Sequence, residues 1–98
     1  MSELRFEWDP GKDEENQRKH GLSFDEAKGA FHDENGLLRD DPEHSDGEDR
    51  FILLGITASL RIAVVCHCYR QGGNVIRIIS ARPATRKERS QYDERVKP

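Results

Sequence analysis

Two runs of alternating side chains, Leu60–Arg70 and Asn74–Arg82, flank the tripeptide Gln71-Gly72-Gly73. Glycines at that joint supply the positive φ that a tight reversal needs, so the two runs read as an antiparallel hairpin. A third strand pattern covers Arg50–Ile56, and a shorter one lies around Gly36–Arg39. Together they predict a four-stranded meander. Leu4 to Trp8 (LRFEW) adds a short edge strand of the same alternating character.

Helix signals fill the remainder. Asp9-Pro10 places an N-cap before proline at the first helical position, and Gly21 marks the end. Acids (Asp13, Glu14, Glu15) crowd the start of this helix and cations (Arg18, Lys19, His20) its end, as the macrodipole favours. Between Gly11 and Gly21 it has no apolar residue, which predicts an exposed, weakly docked helix. Ser23 with Glu26 forms a capping-box pattern ahead of Phe24, Ala27 and Phe31, an apolar stripe for a second helix. Thr85 with Glu88 opens a last helix running to about Val96, whose only apolar residues are Tyr92 and Val96. The order βααββββα predicts an α+β fold with helices on one face of the sheet and the other face partly open to a ligand.

At 98 residues the chain makes one small domain, 1–98, with a core too thin to enclose a large organic cofactor. No hydrophobic stretch approaches a membrane span, and the start MSELRFEWDP has no signal-peptide core, so a cytoplasmic protein is expected. The two cysteines, Cys66 and Cys68, are too few for a disulfide scaffold. The acidic net charge of −3 conceals a division. Residues 1–50 hold 7 Lys/Arg and 16 Asp/Glu; residues 51–98 hold 9 and 3. A basic half suits a polyanion or an acidic partner, but the two halves also suffice to neutralise each other.

Chemistry concentrates in two places. In LRIAVVCHCYR, alternation sends Cys66 and Cys68 to one face and Arg61, His67 and Tyr69 to the other. "CHC" is therefore no chelating triplet, and no metal site is expected. His67 is the candidate proton carrier, against the plainer reading of a hydrogen-bonded, partly buried histidine. In IRIISARPATRKERSQY, Arg77 sits mid-strand among isoleucines and needs a carboxylate or an anionic ligand. Arg86 and Lys87 occupy a helix's first turn, where the dipole disfavours cations by roughly 0.3–1 kcal/mol each. A phosphate or carboxylate docked there, on free backbone N–H groups, would reverse that penalty. The acidic loop lacks the EF-hand order. There is no phosphate-cradling glycine loop, no HExxH, and no nucleophile-elbow setting for Ser59 or Ser80.

Three segments, FEWDPGKDEENQRKHGLSFDEA (Phe6 to Ala27), DPEHSDGEDRFILLG (Asp41 to Gly55) and IRIISARPATRKERSQYDE (Ile76 to Glu94), closely resemble the BrnT family of toxins. The resemblance covers nearly the whole chain in order and spacing. It implies a RelE-like fold and a metal-independent endoribonuclease without cofactor that inhibits translation by cleaving RNA. It also implies neutralisation by a BrnA-type antitoxin, operator DNA being reached only through that complex, as either a homodimer or a toxin–antitoxin heterotetramer. Matching positions carry a role in RNA cleavage to Arg50, Arg77, Arg82 and Arg86, with His67 and Lys19.

Metal-free cleavage needs a base for the 2′-hydroxyl, donors for the charged phosphorane and an acid for the leaving 5′-oxygen. Arginine suits only the electrostatic part. The expected catalytic set is His67, Arg77, Arg82 and Lys19, His67 being the candidate acid/base with Lys19 or His20 as alternatives to it. Arg50, Arg86, Lys87 and Tyr92 are the expected RNA contacts, Tyr92 by stacking on a base or, equally, serving only to dock its helix. The family's first helix usually carries alanines and leucines, whereas Glu14, Glu15 and Gln17 occupy it here.

Overall fold

The computed structural model describes residues 4–44 and 47–97; Ser45 and Asp46 of the acidic loop lie outside the described residues. Its elements are β1 (Arg5–Glu7), α1 (Pro10–His20), α2 (Phe24–Ala27), β2 (Leu37–Asp40), β3 (Phe51–Ile56), β4 (Ile62–Arg70), β5 (Val75–Pro83) and α3 (Arg86–Val96). They form one five-stranded sheet of order β1-β5-β4-β3-β2. The α+β fold and element order agree with the sequence reading. The meander is antiparallel throughout, while β1 joins β5 in parallel, Phe6 opposite Ile76. Among the described residues no helix is long and apolar enough to cross a membrane.

Alternation along the strands divides the core into two layers. Leu53, Ala63, Val65, Ile76, Ile78 and Ala81 face Leu22, Phe24, Ala27 and Ala30, forming the inner layer. Leu54 and Val64 face Ala84 and Tyr92, so α3 covers one end of the outer face. Ile78 and Ala81 lie three residues apart, an odd spacing, yet both point inward. The reason is a β-bulge: Cys66 pairs with Ser80 and His67 with Ile78, leaving Ile79 as the extra residue of β5.

The termini of α1 follow the sequence. Asp9 accepts from the Gly11 and Lys12 N–H groups at 2.8 and 3.4 Å, and Gly21 closes the helix at φ +66°. Its docking does not follow: the helix is not weakly held. Asn16, only 6% exposed, behaves as a surrogate strand residue at the edge of β5 beyond the end of β1. Its amide nitrogen donates to the Ala81 carbonyl at 2.7 Å and the Leu22 carbonyl at 2.8 Å, and its oxygen accepts the Ala81 N–H at 3.1 Å. Asp13 adds a bond from the Phe24 N–H at 2.9 Å. Polar side chains thus do the work that an apolar stripe does elsewhere.

The second helix is shorter than its stripe suggests. After Ala27 it tightens into a 3₁₀ turn, Lys28–His32. Gly29 lies so close to β3's exit turn that a Cβ there would sit 2.7 Å from the Ala58 nitrogen. Only half of the expected capping box forms: Ser23 accepts the Glu26 N–H, while the Glu26 carboxylate turns to Arg61, Thr57 and Ser59. Chiefly through Arg61, these donors hold the Glu26 pKa at about 2 despite its burial.

Two predictions follow from this packing. Asn16→Ala strands both backbone groups of Ala81 and should lower the unfolding free energy in urea by roughly 2–4 kcal/mol; a loss under about 1 kcal/mol contradicts the edge-pairing account. Glu26 has a depressed folded pKa, so its stabilisation is complete above about pH 4.5 and is lost as pH falls towards 2. Glu26→Gln should therefore flatten the wild-type decline in stability across that window, measured by unfolding at each pH.

Candidate RNA-binding groove

The outer face is open where α3 does not reach. There a groove of about 340 Å³ is lined by His20, Arg50, Ile52, Cys66, Ser80 and Arg82, together with Glu43 and the buried Asp41. Each element supplies a side chain for a local reason. The α1 C-terminus, held to the edge of β5 through Asn16, brings His20 to the groove. Alternation places Ile52 and Cys66 side by side on β3 and β4, and the bulge opens β5 at Ile79 and Ser80. A shallower depression of about 220 Å³ continues over the sheet edge, lined by Lys12, Asn16 and Lys19 and sharing His20, Ile79 and Ser80 with the groove.

Arg82 reaches the groove held by a carboxylate. Its Nη1 and Nη2 donate to the two oxygens of Glu88 at 2.7 and 2.9 Å. The Arg82 guanidinium, against the opposing effect of burial, holds the Glu88 pKa at about 2. The Thr85–Glu88 capping box is complete, with the Thr85 N–H on Glu88 Oε1 at 2.8 Å and the Glu88 N–H on Thr85 Oγ1 at 3.2 Å. Arg86 and Lys87 are exposed on the first turn of α3. Cys66 is half-buried; burial, and then the nearby Asp41 carboxylate, push its thiol pKa up, making it a poor thiolate nucleophile.

Not every expected site residue lies here. Arg77 is on the same outer face, but five residues back along β5, about 15 Å at strand rise. The carboxylate its mid-strand position required is Glu7, at 2.7 Å across the parallel pairing. His67 is on the opposite face and wholly buried, at 0% exposure, edge-on to Phe31 at 4.7 Å between ring centroids. Its Nδ1 lies 3.0 Å from the Val65 carbonyl, which can only accept, so Nδ1 carries the proton. Nε2 then accepts from the Tyr69 hydroxyl at 3.2 Å. Burial pushes the His67 pKa down and keeps the ring neutral. This geometry matches the plainer reading of His67 and separates it from the arginines by the thickness of the sheet.

Tyr92 is likewise buried, at 6% exposure. Its hydroxyl donates to Asp33 Oδ2 at 2.6 Å, and that oxygen also accepts the Ile56 N–H at 2.9 Å. Burial and the Asp33 carboxylate raise the phenol pKa to about 12. Lys19 is exposed and paired with Glu15 at 2.8 Å. The pairing roles of Glu7 and Glu88 and the edge role of Asn16 escaped the sequence reading. A partner for Arg77 was demanded by chemistry, but a carboxylate 70 positions away carries no local signal. Among the described residues no three His, Cys, Asp or Glu side chains converge as metal ligands do.

Comparison with known proteins adds an independent line. Residues 8–88 match the family model described as ribonuclease toxin, BrnT, of type II toxin–antitoxin system. The crystal structure of the Brucella abortus ribonuclease toxin BrnT superposes with a TM-score of 0.61 at 24% identity, covering 86% of this chain and all of that one. This likeness carries the fold. No curated protein matches the chain.

Tyr92 as a docking residue makes a direct prediction. Tyr92→Phe removes only the hydroxyl donor to Asp33 and should cost about 1–2 kcal/mol of unfolding free energy, with RNA affinity unchanged in a filter-binding assay. Tyr92→Leu, which removes the ring itself, should likewise leave the RNA affinity of the folded protein unchanged; a loss of affinity in that variant would restore the stacking role.

Proposed function

Because the chain belongs to the BrnT family of ribonuclease toxins of type II toxin–antitoxin systems, and so pairs with an antitoxin, we propose that the outer-face groove binds and cleaves RNA without a metal ion. The observation that carries this reading is the convergence of His20, Arg50 and Arg82 on one open groove beside a bulged strand. Arg82 and Arg50 stabilise the charge that builds on the phosphorane, where preorganised donors contribute most. His20 takes the 2′-hydroxyl proton, the role first assigned to His67, because a base must reach the proton it abstracts. Lys19, its neighbour on the contiguous depression, is the donor for the leaving 5′-oxygen. Asp41 and Glu43 offer acceptors for ribose hydroxyls or base N–H groups.

The remaining cations serve the polymer rather than the bond. Arg86 and Lys87 on the first turn of α3 meet flanking phosphates, where backbone N–H groups assist. Arg77, tied to Glu7 away from the groove, takes part in holding the sheet edge. The biological consequence is inhibition of translation through RNA cleavage, relieved by a BrnA-type antitoxin in a homodimer-based or heterotetrameric complex that reaches operator DNA through the antitoxin.

Incubation of a defined RNA with the protein in excess EDTA, with and without ribosomes, tests the proposal. Wild type should cleave, and Arg82→Ala and His20→Ala should each slow cleavage by about 100-fold or more. Intact RNA with wild type under both conditions removes the nuclease reading. Binding without cleavage leaves an RNA-binding module. Normal cleavage by His20→Ala removes the proton-transfer assignment while leaving the arginines in place.

A further inference from the structure

Glu88 has two bonding duties, and only one belongs to the helix. As the third residue of α3 it completes the capping box with Thr85. At the same time both of its oxygens grip Arg82 end-on. That grip uses one N–H from each terminal nitrogen of a guanidinium with five. A longer contact, 3.4 Å, runs from Nη1 to the Pro83 carbonyl. Arg82 Nε makes no hydrogen bond among the described residues, so the side edge of the guanidinium, Nε–H with the second Nη2 N–H, keeps two parallel donors. That pair matches the spacing of two phosphate oxygens.

We propose that Glu88 is a positioning residue for RNA cleavage, locking the Arg82 guanidinium so that its side edge is left as a fixed two-donor clamp for the phosphate in the groove. The inference rests on the ribonuclease reading above. An unrestrained arginine carries about 2 kcal/mol of rotamer entropy, which it would surrender each time a phosphate arrived. Here the restraint precedes the substrate. The backbone N–H at position 85, which an alanine there keeps, holds one oxygen of the Glu88 carboxylate, Glu88 holds Arg82, and the rigid start of α3 thereby sets the orientation of a cation in the groove.

The arrangement has an electrostatic cost that gives it a signature. Glu88 cancels charge that would attract RNA, so it weakens encounter while sharpening placement. A carboxylate present only to cap α3 would still weaken encounter through its charge but would not influence placement. Glu88→Gln separates these roles, because glutamine at this position retains the capping box but loses the charged two-oxygen grip. Thr85→Ala is the converse: it removes the cap hydroxyl and leaves the carboxylate–guanidinium pair.

Steady-state cleavage of a short RNA by wild type, Glu88→Gln, Thr85→Ala, Arg82→Ala and the Arg82→Ala/Glu88→Gln double variant tests the proposal, each protein first shown folded by thermal unfolding. Glu88→Gln should lower kcat by about tenfold, the order expected for a misplaced donor, with KM unchanged or lower. Thr85→Ala should keep kcat within about twofold, and the double variant should be no slower than Arg82→Ala alone. Wild-type kcat in Glu88→Gln, or an additive loss in the double variant, overturns the positioning role while the nuclease reading stands. A wild type that leaves the RNA intact overturns both together.

Discussion

The placement of α1 on the sheet depends on a buried amide. Asn16 takes both backbone groups of Ala81 and the carbonyl of Leu22, and no apolar contact is available to replace it on a helix without apolar residues. Three net hydrogen bonds contribute only about 3 kcal/mol, but the penalty for leaving three buried groups unsatisfied is larger. The helix is therefore held in register rather than merely attached. Trp8, packed edge-on against Phe24 at 6.0 Å, and the buried Leu22 anchor the chain on either side of it. With α1 so fixed, its last residue, His20, stands beside the bulge of β5.

The site is a consequence of the same geometry. Because β1 stops at Glu7, the edge of β5 is free for Asn16, and because β5 bulges at Ile79, its outer face opens at Ser80 beside Arg82. Ion pairs then divide the basic segment. Arg77 is tied to Glu7 and Arg82 to Glu88, whereas Arg86 and Lys87 stay exposed. The separation of halves in the sequence, acidic before basic, is partly neutralised by the Glu7–Arg77, Glu26–Arg61 and Glu48–Arg70 pairs, while Arg82 finds its carboxylate within the basic half. Arg50 and Arg82 supply the cationic donors of the groove, set among the carboxylates of Asp41, Glu43 and Glu88. The two readings of that asymmetry describe different residues of one segment.

Local chemistry was legible in the sequence; long-range pairing was not. Asp9, Gly21 and the Thr85–Glu88 box announce helix ends because capping involves residues two to four positions apart. Gln71-Gly72-Gly73 announced the hairpin for the same reason, and strand alternation correctly separated the two cysteines from His67. By contrast, the parallel union of β1 with β5, the bulge at Ile79 and the edge pairing of Asn16 involve partners up to about 70 positions away. The Glu7–Arg77 pair spans 70 residues. Asn16 is the instructive case: among charged neighbours an asparagine reads as one more polar residue, and only the vacant strand edge gives it a task. His67 shows the converse, a residue type suited to catalysis that burial commits to the core.

The central claim is that RNA lies across the outer face between His20, Arg50 and Arg82. Backbone and arginine side-chain NMR shifts, followed while titrating a short oligonucleotide whose 2′-hydroxyls are blocked against cleavage, test it most directly. The account predicts that the largest changes gather at His20, Arg50, Ser80 and Arg82 and that His67 and Tyr69 stay still. Changes centred instead on His67 and Tyr69 on the inner face, with the groove silent, would contradict it.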